Sequence, residues 1–178
     1  HLEAYSKNPN VEIYALCDVN EKNLNRRGDQ YHVERRYTDK DKMLAELQEI
    51  DAVSVCTWNA AHAECTIAAL NAGKHVLCEK PMAMNAAEAQ AMLDAAKRND
   101  RLLMIGFVRR FGNDCTIAKD LIEHDRMGDI YYAKATYLRR NGCPGGWFGD
   151  KARSGGGPLI DLGVHVIDLT RYLMGKPK

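Results

Sequence analysis

Lys80, Asp161 and His165 are the side chains of this chain best placed by type and spacing to move a proton. Lys80 lies in Glu79-Lys80-Pro81, directly after the apolar run His75-Val76-Leu77-Cys78. A short, continuous apolar run reads as a buried parallel strand, and ligands of open α/β sheets bind beyond the carboxyl ends of such strands. A lysine there is partly desolvated and able to exchange a proton with a ligand. Pro81 disfavours a helical backbone at the lysine. Read alone, the tripeptide also fits a solvated loop. The second signal is the segment from Ser154-Gly155-Gly156-Gly157-Pro158 through Leu169. It is apolar except for Asp161, His165 and Asp168, which are spaced by four and three residues. That spacing puts the three on one helix face. An unpaired buried charge is costly, so the stripe is either paired internally or lines a wet cleft. An Asp and a His one turn apart suit a base and its orienting partner, and equally a satisfied core histidine.

The elements that must position these groups alternate. Residues 1–7 read as the end of a helix stopped by Asn8-Pro9-Asn10, and residues 11–17 as an alternating strand closed by Asp18. Asn20 caps a helix to about Tyr31, Thr38 and Asp39 cap a short one, and residues 52–56 form a second buried strand. A helix over 60–71 ends at Gly73, and Asn85 with Glu88 forms a capping box for the next helix. Residues 102–105 are a further strand. Strands alternating with helices of this length predict an α/β, Rossmann-type parallel sheet over residues 1–108. A helix over 113–124, a long alternating strand over 129–140, a glycine-rich loop over 141–157 and a helix over 158–174 predict a different second part, 109–178. It reads as the start of an α+β, mostly antiparallel-sheet domain. A dinucleotide fold also needs a first strand and a Gly-x-Gly-x-x-Gly turn, expected here upstream of His1. The chain therefore reads as an internal piece.

Asp18 ends its strand where dinucleotide folds place an acid on the adenosine ribose. A carboxylate repels a 2′-phosphate, and Val19 and Asn20 bring no arginine, so NAD is favoured over NADP. The competing role is a cap for the next helix. Thr57, Asn59 and His62 follow the second buried strand and offer hydrogen bonds near a nicotinamide ribose, although Asn59 also suits a helix cap. The six cysteines form no CxxC pair, and three sit at the ends of predicted strands. That usage fits small hydrophobes in a reducing compartment, and with no third ligand beside Asp161 and His165 no metal site is expected. A net charge of +1 gives no case for nucleic acid or an anionic membrane, and no apolar run reaches membrane-spanning length. A cytoplasmic location is expected.

Together Cys17-Asp18, the Thr57–His62 loop, Glu79-Lys80-Pro81, Arg109-Arg110-Phe111 and Gly155-Gly156-Gly157 with Asp161 and His165 resemble the Gfo/Idh/MocA family of nicotinamide-dependent oxidoreductases. Trp58 stands where the family usually has proline, and Val108 where many members have asparagine. The resemblance implies a second domain that serves as an oligomerisation surface, hence a homo-oligomer. It also implies Lys80 and the Asp161/His165 pair as a proton relay, with Glu79, Lys80, Arg110 and the Thr57 loop bordering NAD. The expected reaction is hydride transfer between a secondary alcohol of a sugar, inositol or related polyol and the nicotinamide. The rival readings are an NAD-dependent glycoside hydrolase of the same fold and a non-catalytic NAD-binding sensor.

Overall fold

The computed structural model describes residues 1–138 and 140–175. In chain order the first half contains α1 (Leu2–Ser6), β1 (Leu16–Cys17), α2 (Glu21–Tyr31), β2 (Arg36–Tyr37), α3 (Lys40–Glu46) and β3 (Ala52–Val55). Then come α4 (His62–Asn71), β4 (His75–Cys78), α5 (Ala86–Arg98) and β5 (Leu103–Ile105). The remainder holds α6 (Asn113–Glu123), α7 (Lys151–Ser154) and α8 (Val164–Met174). One sheet pairs β1 with β2 in parallel, Leu16 opposite Arg36 and Cys17 opposite Tyr37. The other has the order β3-β4-β5. Val76 N–H donates to Leu102 O (2.8 Å) at one end of β4 and Gly106 N–H to Cys78 O (2.7 Å) at the other, a parallel register.

The chain divides into two compact units, and the division is not a single cut in the sequence. His1–Val55, Glu64–Leu77 and Ala91–Leu103 form the first unit. Its helices start where the sequence caps them. Asn20 accepts from Asn23 N–H (3.0 Å), and Asp39 from the N–H groups of Asp41 (2.8 Å) and Lys42 (3.2 Å). Gly73, at φ +75°, ends α4 in the left-handed conformation that glycine adopts without steric cost. Leu24, Leu44, Leu70, Val76, Met92 and Ala95 are buried and make the core, each large side chain contributing about 1.5–3 kcal/mol. Lys74 is buried too, its ammonium donating to Gln48 O (2.7 Å). The expected strand over 11–17 is shorter than its alternation implies. Leu16 and Cys17 alone carry strand geometry, because β2 offers partners only there.

Cys56–Ala63, Cys78–Gln90 and Met104–Lys178 form the second unit. It holds the residues that follow β3 and β4, together with α6 to α8. The capping pair at α5 forms: Glu88 N–H donates to Asn85 Oδ1 (2.9 Å) and Met84 N–H to Glu88 Oε2 (3.1 Å). Two expectations are corrected here. Residues 129–138 carry the predicted alternation but form no strand, since no other segment among the described residues pairs with them; residue 139 of that expected strand lies outside the described residues. The helix expected over 158–174 begins instead with a π-helical turn, Leu159–Gly163, before α8.

Candidate active site

β4 ends at a fully buried Cys78, and the chain turns immediately. Glu79 Oε2 accepts from Lys80 N–H (3.1 Å), and the Lys80–Pro81 peptide is cis. The Lys80 ammonium donates twice to one residue, to Asp161 Oδ1 (2.9 Å) and to Asp161 O (2.8 Å). Both side chains are only 18 % exposed. Asp161 lies in the π-helical turn, where the ladder is spread and a backbone carbonyl can take a donor from outside the helix; such turns recur at functional sites. The glycine run before it is needed for a close approach. Gly155 sits at φ +81°, and a Cβ there would lie 2.7 Å from Met84 Sδ.

His165 is 8 % exposed, and its Nδ1 has no hydrogen-bond partner among the described residues. Its ring stacks on Tyr137 at 6.4 Å between centroids, and Tyr137 OH accepts from Arg109 Nη2 (3.1 Å). Burial, followed by the Lys80 and Arg109 cations, holds the imidazole below the usual histidine value, with Asp161 and Glu79 offsetting part of that. The acidic stripe of the helix is therefore divided among partners on other elements. Asp161 pairs with Lys80, and Asp168 takes both Nε (2.8 Å) and Nη2 of Arg110 in a fork. The Arg110 guanidinium also lies over the rings of Tyr172 (5.0 Å) and Phe107 (5.6 Å). An arginine expected from the resemblance to border the cofactor is thus committed to Asp168.

The loop after β3 distributes its polar groups unevenly. Thr57 is exposed, and its hydroxyl donates to Trp58 O at 3.3 Å. Asn59 is buried, and its Nδ2 donates to Ser154 O (2.7 Å), tying this loop to the residue before the glycine run. His62 is 1 % exposed, with Nδ1 2.7 Å from Pro81 O and Nε2 3.1 Å from Thr57 O. Trp58, at the family's usual proline, carries the Arg153 guanidinium 5.2 Å above its ring. In the first unit, Asp18 Oδ1 accepts from Asn20 N–H (2.8 Å) and Oδ2 from Asn23 Nδ2, so the carboxylate does brace the start of α2. Among the described residues no group of three His, Cys, Asp or Glu side chains could hold a metal, and burial raises the Cys65 and Cys115 thiols above their ordinary value. No helix among them is long and apolar enough to cross a membrane. Sequence reasoning brought out Lys80, Asp161 and His165 but not Tyr137, Arg153 or Ser154, which carry no local signal.

Residues 1–107 match the family described as the oxidoreductase family with an NAD-binding Rossmann fold, and residues 116–178 match the GFO/IDH/MocA C-terminal domain. The chain is 37 % identical to the D-glucoside 3-dehydrogenase of Escherichia coli (strain K12), over 99 % of this chain and 50 % of that protein. It is 32 % identical to the myo-inositol 2-dehydrogenase of Thermotoga maritima, over 99 % and 51 %. The solved oxidoreductase domain protein from Kribbella flavida superposes with a TM-score of 0.91 at 33 % identity, covering 98 % of this chain and 49 % of that one. A levoglucosan dehydrogenase solved with NADH gives 0.79 at 31 % identity, covering 92 % and 45 %. The chain spans about half the length of the curated relatives it matches. With its parallel sheets, its capped helices and its match to both parts of the family, the chain belongs to the Gfo/Idh/MocA oxidoreductases.

Proposed function

We propose that the protein containing this chain is an NAD-dependent oxidoreductase that transfers a hydride between a secondary alcohol of a sugar, inositol or related polyol and the nicotinamide. Residues 1–108 are its cofactor-binding part, and 109–178 belong to its substrate and oligomerisation part. The observation that carries the reading is the Lys80 ammonium held on Asp161, in the same unit as a buried His165 whose Nδ1 is unpartnered among the described residues. The activities for which the relatives are named, on a glucoside, on inositol and on levoglucosan, support the substrate class.

Bound NAD supplies the hydride acceptor. The first unit fits its ribose: Asp18 keeps carboxylate lone pairs for ribose hydroxyls. Oxidation of the alcohol breaks its C–H and O–H bonds, and the hydroxyl proton goes to the neutral imidazole of His165. The depressed affinity of that ring for protons keeps it in the base form near neutral pH. Lys80 donates to the hydroxyl oxygen as negative charge develops on it, an interaction stronger in the transition state than before it. Asp161 holds Lys80 from side chain and backbone together. The stacked Trp147 and Phe148 rings, 3.9 Å apart, offer an apolar face for a sugar ring. The protein is a cytoplasmic homo-oligomer in this reading, supported by six cysteines with no CxxC pair among them and by exposed Tyr131 and Leu138.

The test uses the full-length protein with NAD or NADP and a panel containing myo-inositol, a methyl glucoside and levoglucosan. Net NADH formation, with NAD preferred and turnover strongly lowered but measurable in Lys80→Ala and lost in His165→Ala, both variants still binding NAD, supports the reading. Free sugar released from glycosides without net NADH overturns it in favour of hydrolysis. NAD binding without turnover overturns it in favour of a sensor.

A further inference from the structure

The structure assigns His62 a role distinct from the cofactor contact its sequence position implies: we propose that it is a positioning residue, clamping the Lys80–Pro81 turn to the loop after β3. The inference rests on Lys80 being catalytic. His62 opens α4, behind a 3-10 turn over Asn59–Ala61, and is among the most deeply buried large side chains. Both ring nitrogens are used. Nδ1 faces Pro81 O at 2.7 Å and Nε2 faces Thr57 O at 3.1 Å. Those carbonyls belong to different loops, and both are acceptors only. The shorter contact places a ring N–H on Nδ1, donating to Pro81 O. With 1 % of the residue exposed, no ring atom is left to reach a bound cofactor.

The clamp acts on Lys80 through the backbone. Lys80 N–H is held by Glu79 Oε2 (3.1 Å), its ammonium by Asp161, and the carbonyl of the next residue by His62. The peptide unit bearing the lysine is therefore fixed on both sides. Pro81 is itself buried, so its carbonyl has no water to turn to if the imidazole is removed. A buried acceptor without a donor makes the turn shift to find one, and the lysine moves with it. A displacement of about 1 Å at a catalytic group costs roughly 10²-fold in rate.

The experiment uses full-length His62→Phe, which keeps ring volume without a donor, and His62→Gln, whose amide can donate to one carbonyl. Each is made alone and combined with Lys80→Ala. NAD dissociation constants, kcat and thermal midpoints are measured with the best substrate among myo-inositol, a methyl glucoside and levoglucosan. The expected result is a fall in kcat of roughly 10²-fold for His62→Phe with NAD affinity retained, and partial recovery in His62→Gln. In the Lys80→Ala background the same substitution costs less than about 3-fold, because residues that act as a unit are not additive. Lost NAD affinity with kcat retained, or an equal fall in kcat in both backgrounds, overturns the clamp. Should His62→Phe fail to fold, His62→Gln is read by the same criteria. If Lys80→Ala alone leaves kcat intact, the functional reading and the clamp both fall. If it lowers turnover strongly while the His62 variants retain theirs, the clamp alone falls.

Discussion

Substituting Asp161 by Asn keeps shape and an oxygen acceptor and removes only the charge facing Lys80. At the observed 2.9 Å, opposite unit charges attract by about 6 kcal/mol at an effective dielectric of about 20. Both groups are four-fifths removed from water, so desolvation cancels much of this. The expected net coupling is about 1–3 kcal/mol, within the range for groups in direct contact. It is measured by urea unfolding of the full-length protein in four forms: parent, Asp161→Asn, Lys80→Met and the double variant. In turnover, Asp161→Asn should lower kcat by about 10²–10³-fold, the usual cost of disabling a preorganised donor at a site of developing charge. Additivity of the two substitutions to within about 0.5 kcal/mol, together with an unchanged kcat, would refute the reasoning.

The acidic limb of kcat/KM against pH should lie below the ordinary histidine value, since burial, Lys80 and Arg109 disfavour the imidazolium of His165; Arg109→Gln should move that limb to higher pH. The same shift makes folding stability fall as pH drops from the ordinary histidine value to the lower folded one, because the unfolded chain binds the extra proton first; urea titrations across that window check the sign. Arg110→Met leaves Asp168, whose side chain is 9 % exposed, without its forked partner, and should cost about 2–3 kcal/mol in unfolding experiments while leaving NAD affinity unchanged. Gly155→Ala should destabilise by about 1–3 kcal/mol, since alanine at φ +81° is strained and its Cβ meets Met84; Met84→Ala should relieve the contact but not the backbone cost.

The parts of this fold legible in the sequence are those set by neighbours along the chain. The run from His75 to Cys78 is buried strand, Asn20 and Asp39 cap their helices, and Gly73 ends α4. The alternation over 129–138 misled because a strand requires a partner for its ladder, which alternation does not supply. The acidic helix was half legible. Its apolar faces showed that Asp161 and Asp168 need partners, but Lys80 lies 81 residues away and Arg110 58. The Thr57 loop shows the same limit, since Asn59 finds Ser154 across 95 residues and His62 finds Pro81 across 19. Local spacing named polar residues there but not which would be consumed in holding the site together.

The most direct test follows the hydride itself. Full-length protein is supplied with NAD and myo-inositol, a methyl glucoside or levoglucosan deuterated at the ring carbons, and the released NADH is weighed by mass spectrometry. Deuterium in released NADH, abolished in His165→Ala protein that still binds NAD, is the expected result. Tightly bound NAD that acquires no label from any substrate would contradict hydride transfer at the Lys80, Asp161 and His165 site.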